Sequence, residues 1–113
     1  MSGWQVVYYI SSTGDNPIKD FLDARPSAKL KAFRIFDHIK EFGLTSAIPH
    51  IKKLAGTPLW EIRVLGQDNI RILYVTKAER QIFLLHAFDK KTNKTPPREI
   101  KIALRILTET IKT

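Results

Sequence analysis

The apolar and polar positions in the first part of the chain predict one strand and two helices. Trp4 to Ile10 is rich in Val, Tyr and Ile, which favours a β-strand. Pro17 to about Ala24 is predicted as a short helix, because a capping Asn precedes a proline at the first helical position. A longer helix follows, with Ser27 as its cap and Gly43 as its stop. Its apolar positions recur at the helical spacing expected of a buried stripe: Ala28, Ala32, Ile35, Phe36, Ile39 and Phe42.

The opposite face of this second helix is polar. Lys31, Arg34, His38 and Glu41 lie there, and charged residues at this spacing usually form a solvated helix surface. We therefore interpret this face as exposed to solvent and assign no chemical role to His38.

The second part of the chain predicts three strands and a final helix. The strands are Leu59 to Leu65, Asn69 to Val75 and Gln81 to Ala87, and the short links 66–68 and 77–80 favour an antiparallel meander. Apolar residues at spacings of three and four predict a helix from Pro97 to about Ile111. The predicted order is β-α-α-β-β-β-α. With no repeat or linker in 113 residues, we expect one domain over residues 1–113.

Several classes of protein are excluded by composition. The chain has no cysteine, which rules out a disulfide framework and thiol chemistry. No apolar run is long enough to cross a bilayer, and the first ten residues lack the features of a signal peptide. We therefore expect a cytoplasmic protein.

Positive charge is concentrated in the second part of the chain. Up to residue 48 the chain has six Lys and Arg against five Asp and Glu, and after it thirteen against six. The net charge is therefore +1 before and +7 after this point. A concentrated basic surface attracts nucleic acid more readily than a dispersed excess does. An anionic membrane fits less well, because the basic part reads as strands and not as an amphipathic surface helix.

Side-chain alternation places two arginines on one face of the predicted sheet. Trp60, Ile62 and Val64 alternate with Glu61 and Arg63, and in the next strand Arg71 points away from its apolar neighbours. If the apolar sets pack on helices, Arg63 and Arg71 project from the same open face. The last strand is apolar on both faces, with His86 grouped with Ile82 and Leu84, which indicates a central strand beside a groove.

A basic loop follows this strand directly. The segment from His86 to Pro97 contains Lys90, Lys91 and Lys94, and a cationic loop held by a rigid strand can bind a polyanion at a fixed position. Together with the two arginines, this loop indicates RNA as the substrate.

The ordered motifs resemble a known family. Leu59-Trp60-Glu61-Ile62-Arg63, Arg71-Ile72-Leu73-Tyr74 and the segment from Leu84 to Pro96 are similar to the HigB-like branch of the RelE/ParE toxin superfamily, a branch often described as phage-derived. Lys52-Lys53-Leu54 and the segment from Pro17 to Leu22 also fit its pattern. Each piece alone is weakly specific, whereas their order and spacing together support the resemblance over nearly the whole chain.

The resemblance implies a compact α+β RelE-like domain, with a twisted, mainly antiparallel four-stranded sheet packed on helices. It further implies the toxin of a type II toxin–antitoxin pair, partnered by a helix-turn-helix antitoxin. Toxins of the RNA-cleaving branch enter the ribosome and cut mRNA without a metal or another cofactor. ParE-like relatives share the fold but inhibit DNA gyrase, so a gyrase inhibitor or an inactive nucleic-acid-binding protein remains the alternative.

Metal-free cleavage of RNA requires cations for the phosphorane and groups that exchange protons. Arg63 and Arg71 suit the first role, because a guanidinium can hold two phosphate oxygens. Lys90 and Lys91 could position the RNA backbone or exchange a proton, and His86 could act as base or acid. Alternation groups Tyr74, a further possible proton donor, with the core.

Other residues are expected to bind or orient. Lys52, Lys53 and Lys94 are predicted phosphate contacts, and Phe88 is a better candidate than Trp60 for stacking on a base. Glu61 is expected to orient the cations, and Arg71 could instead pair with Glu61 or Asp68. The three histidines lack metal-ligand spacing, and no Gly-rich phosphate loop or Gly-x-Ser-x-Gly elbow occurs. We therefore predict no metal site.

Overall fold

A computed structural model describes residues 3–66, 69–77 and 80–111. The predicted turn residues Gln67, Asp68, Ala78 and Glu79 lie outside these ranges, as does the suggested pairing of Asp68 with Arg71. In chain order the elements are β1 Gln5–Tyr8, α1 Pro17–Asp23, α2 Pro26–Phe42, a 3₁₀ segment Leu44–His50, β2 Ile51–Lys53, β3 Trp60–Val64, β4 Ile70–Lys77, β5 Gln81–Asp89 and α3 Pro97–Ile111.

The strands form one five-stranded mixed sheet in the order β1-β5-β4-β3-β2. β1 pairs parallel to β5, and the remaining neighbours pair antiparallel. The predicted four-stranded sheet and the order β-α-α-β-β-β-α are therefore wrong, although the α+β class is confirmed. The difference arises from β2, a three-residue edge strand with two lysines, which is too short and polar to show strand alternation.

Helices cover both faces of this sheet. On one face α1 and α2 pack against the apolar side chains of β3, β4 and β5, including Ile62, Ile72 and Leu84. On the other face α3 packs against Leu73 and Phe83. β5 is apolar on both sides because each side contacts a helix layer, which confirms that it is a central strand.

The ends of α1 and α2 agree only in part with the capping residues predicted from the sequence. Asn16 caps α1, as predicted, by accepting a hydrogen bond from the Lys19 backbone N–H at 3.1 Å. Ser27 does not cap α2, which begins at Pro26 after Arg25 with no side-chain cap. Gly43 ends α2, but the preceding Phe42 is 63% exposed and does not join the buried stripe.

A β-bulge in β5 changes the side on which its last residues lie. Tyr74 of β4 pairs with Leu84, whereas the adjacent Leu73 pairs with His86, so Leu85 is an extra residue in the ladder. His86 therefore shares a face with Leu73, on the α3 side. The predicted grouping of His86 with Leu84 is wrong, since a bulge shifts the alternation by one residue.

Candidate functional site

A buried carboxylate lies at the centre of the candidate site. Glu61, in the middle of β3, is 0% exposed, and its Oε2 accepts a hydrogen bond from Thr95 Oγ1 at 2.7 Å. Its Oε1 is 3.5 Å from Arg71 Nε and 4.0 Å from Lys90 Nζ. We call Glu61, Arg71, Lys90 and Thr95 the Glu61 cluster. Strand pairing of β3 with β4 places Arg71 beside Glu61, and the loop after β5 contributes Lys90 and Thr95.

The contact between Glu61 and Arg71 is an ion pair without a well-formed hydrogen bond. Glu61 Oε1 and Arg71 Nε are both buried, and neither has a hydrogen-bond partner. Arg71 instead donates from Nη1 to the Ile70 carbonyl at 3.1 Å. Buried polar atoms usually find partners, so the unpartnered Nε–H of Arg71 is a donor from which a bound anion could accept a hydrogen bond.

Two further cations flank the cluster. Arg63 lies directly opposite Arg71 in the ladder, and Lys52 of β2 lies opposite Glu61, so both share its face of the sheet. Arg63 donates from Nη2 to the Pro49 carbonyl at 3.4 Å, and its buried Nε has no partner. Among the residues that the structure describes, one carboxylate of this site therefore faces four cations, which leaves a net positive charge suited to an anion.

Burial and this excess of charge act on the two cations of the cluster. Burial lowers the pKa of Arg71; Glu61 raises it and Arg63 lowers it further. Burial also lowers the pKa of Lys90, where Glu61 opposes the lowering and Arg71, Lys52 and Arg63 add to it. Lys90 is therefore a better proton donor than an ordinary lysine.

The loop after β5 closes one end of the site. Lys90 donates its backbone N–H to the Asn69 carbonyl at 2.7 Å, and a pair between Arg25 and Asp89 at 2.7 Å ties the start of the loop to the helices. Lys91 and Lys94 are exposed on this loop. The loop then returns so that Thr95 contacts Glu61, a contact that the sequence did not predict because nothing local to Thr95 signals it.

The structure does not bring His86 into the cluster. His86 Nε2 is 2.8 Å from Glu99 Oε1 of α3, and its ring stacks on Phe88 with 5.7 Å between centroids. Leu73 lies between His86 and Glu61 in the sheet, which puts roughly 10 Å between the two backbones. The geometry gives His86 a structural contact with α3.

Three other residues from the sequence interpretation also lie outside the cluster. Phe88 is only 6% exposed, so its ring offers no open face for a base. Lys53 lies on the opposite face of β2 from Lys52, donates to the Thr57 carbonyl and sits over the Trp60 ring at 5.7 Å. Tyr74 is 0% exposed with an unpartnered hydroxyl, and burial raises its pKa.

Within the described residues, no group of three or more His, Asp or Glu side chains could hold a metal ion. In the same part of the chain, no helix combines the length and apolar character needed to cross a membrane.

Comparison with known proteins identifies the family. No curated protein shows a significant match to the chain. A family model described as "Phage derived protein Gp49-like (DUF891)" matches residues 19–108, which include the whole Glu61 cluster. This family is RelE-like and is found in toxin–antitoxin systems. The chain therefore belongs to the Gp49-like family of phage-derived proteins.

Proposed function

We propose that this protein is the toxin of a type II toxin–antitoxin system, of the HigB-like branch, and that it is a metal-independent, ribosome-dependent mRNA endonuclease. The Glu61 cluster carries the proposal: a buried carboxylate holds Arg71 and Lys90, while Arg63 and Lys52 add charge on the same face. Membership of a RelE-like family supports it.

In the proposed reaction the 2′-hydroxyl of RNA attacks the adjacent phosphorus. The 2′-hydroxyl proton passes to water as the new P–O2′ bond forms, and the 5′-oxygen takes a proton from Lys90 as the P–O5′ bond breaks. The products are a 2′,3′-cyclic phosphate and a 5′-hydroxyl end. Arg63 and Arg71 bind the phosphoryl oxygens, where negative charge grows in the transition state. Glu61 keeps the Arg71 guanidinium oriented.

Proton exchange is assigned to Lys90. Its lowered pKa favours donation to the leaving 5′-oxygen, and its place within the cluster puts it beside the two arginines. Lys91 and Lys94 on the loop, with Lys52 on β2, bind the RNA backbone through charge. We assign His86 no proton transfer, because Glu99 holds its ring away from the cluster.

Arg71→Ala tests the proposal. Loss of one preorganised donor to a developing anion costs about a hundredfold to a thousandfold in rate, so brief induction of this variant should leave mRNA intact. Mapping mRNA 5′ ends after induction of the wild type should show new cuts in codon register. Arg105→Ala is the matched control, since this arginine of α3 is 69% exposed, and it should cut as the wild type does.

Other outcomes would refute cleavage and identify the alternative. Growth arrest with intact mRNA and induced DNA damage would indicate gyrase as the target. Normal growth with intact mRNA would indicate an inactive protein that only binds nucleic acid. The cognate antitoxin is expected to be a helix-turn-helix protein whose acidic segment covers the cationic face; a complex that leaves Arg63, Arg71 and Lys90 open would contradict this.

A further inference from the structure

Arg63 also lines a cationic cavity, which extends away from the Glu61 cluster. It lies between α2, the 3₁₀ segment and the end of β3, and its volume is about 360 Å³, within the range of small-molecule sites. Its basic lining residues are Lys31, Arg34, His38, His50 and Arg63. No aspartate or glutamate lines it within the part of the chain that the structure describes.

The sequence predicts a solvated surface on this side of α2, and Arg34, His38 and Glu41 are exposed as expected. The same side also borders the cavity. Lys31, Arg34 and His38 are three and four residues apart on one helix face. The 3₁₀ segment and the end of β3 border that face, so its basic side chains line an open, concave cavity. Lys31 is fixed by a hydrogen bond from Nζ to the Leu65 carbonyl at 3.1 Å.

Apart from Ser46, the rest of the lining is apolar. Ile35 and Val64 are buried at the wall, and Leu65 is 55% exposed beside them. A cavity that combines cations with an apolar wall fits a ligand that has both an anionic group and a flat apolar surface. A nucleotide has this combination, because its phosphate is anionic and its base has apolar faces.

We propose that this cavity binds one nucleotide unit of the RNA strand, next to the unit held at the Glu61 cluster. The choice of RNA rests on the proposed function. Arg63 joins the two places, since it lies opposite Arg71 in the sheet and also lines the cavity. Its buried, unpartnered Nε is available for a phosphate oxygen at this junction.

The test measures binding without cleavage. A short 2′-O-methyl RNA oligonucleotide of mixed sequence has no 2′-hydroxyl to react, and fluorescence anisotropy gives its affinity. Arg34→Ala should weaken binding by about threefold to tenfold and reduce the salt dependence by about one phosphate contact. Lys40→Ala is the matched control, because it removes one charge from the same helix at an exposed position outside the cavity. Equal affinity of these two variants would overturn the proposal.

Amide chemical shifts identify where the oligonucleotide binds. Shifts at Ser46 and His50, together with those at Arg71, support the proposal. Shifts at Arg71 alone would overturn the cavity proposal and leave the proposed function intact. Shifts at both places in a wild type that cuts no mRNA would refute cleavage alone.

Binding of three other ligands is compared with that of the oligonucleotide. If adenosine 5′-monophosphate or inorganic phosphate binds the cavity as tightly as the oligonucleotide, the cavity is a site for a free anion and the proposal is overturned. If a polyglutamate peptide shifts Ser46 and His50 and the oligonucleotide does not, the cavity receives an acidic protein segment and the proposal is again overturned. Tighter binding of the oligonucleotide than of all three supports it.

Discussion

Glu61→Gln should destabilise the protein strongly, although the carboxamide of glutamine is nearly the same size as the carboxylate of glutamate. Glutamine keeps a side-chain oxygen that can accept the hydrogen bond from Thr95. It removes the negative charge that faces Arg71 at 3.5 Å and Lys90 at 4.0 Å. Arg71 is only 8% exposed, so solvent cannot replace the lost partner.

The magnitude follows from these distances. At an effective dielectric constant of about 20, two unit charges interact by about 5 kcal/mol at 3.5 Å and about 4 kcal/mol at 4.0 Å. The cost of burying the charges offsets part of this attraction, and removal of one partner from a buried pair typically costs 3–5 kcal/mol. Because the Glu61–Arg71 contact lacks a good hydrogen bond, we expect the lower end, about 3 kcal/mol.

Urea unfolding checks this value, with an unchanged m-value as evidence that only stability has changed. Glu109→Gln is the control, since Glu109 is 58% exposed and 4.0 Å from Arg105, and it should cost less than about 0.5 kcal/mol. The double variant with Glu61→Gln and Arg71→Gln should lose much less free energy of unfolding than the sum of the losses of the two single variants. A loss from Glu61→Gln as small as that of the control would refute the reasoning.

The pKa of Lys90 in the Glu61→Gln variant provides a second test. Glu61 raises the pKa of Lys90 against burial and three neighbouring cations. Its replacement by glutamine should therefore lower the pKa of Lys90 further, which a side-chain NMR titration of Lys90 can detect. An unchanged or raised value would contradict the proposed electrostatics of the cluster.

Three further predictions each concern the local environment of one residue. Gly43→Ala should cost about 1–3 kcal/mol in urea unfolding, because Gly43 has φ 93° and ψ 166°, a region that only glycine adopts readily. Tyr74→Phe should leave the free energy of unfolding equal or higher, since it removes a buried hydroxyl without a partner; a loss above about 1 kcal/mol would mean that the hydroxyl is bonded. His86→Ala should cost about 1–2 kcal/mol, from the lost contact with Glu99, yet retain mRNA cleavage. A hundredfold fall in cleavage would instead place His86 in the reaction.

Local patterns predicted the elements that have strong signals of their own. The α3 boundaries, Pro97 and Ile111, agree with the helical spacing of its apolar residues, and the Asn16 cap follows from a preference that acts within one turn. Alternation placed Arg63 and Arg71 on one face of neighbouring strands, as the register confirms. It also separated Glu61 from the core-facing residues of β3.

Longer-range features could not be predicted in this way. The parallel pairing of β1 with β5 joins Gln5 to Gln81, and no local pattern specifies a partner that far along the chain. The short edge strand β2 is stabilised by its neighbour β3 more than by its own sequence. The bulge at Leu85 moved His86 to the other face, and one extra residue in a ladder leaves no trace in apolar alternation when both faces are apolar.

The sequence by itself therefore determined the α+β class, the basic second part and the pair of arginines, because periodicity and charge are properties of neighbouring residues. Only tertiary structure decided which charges meet. It buried Glu61 beneath Arg71 and Lys90, brought Thr95 back onto it, and turned the polar face of α2 into the wall of a cavity. Such contacts depend on the packing of elements distant in sequence, and packing is decided by the whole chain at once.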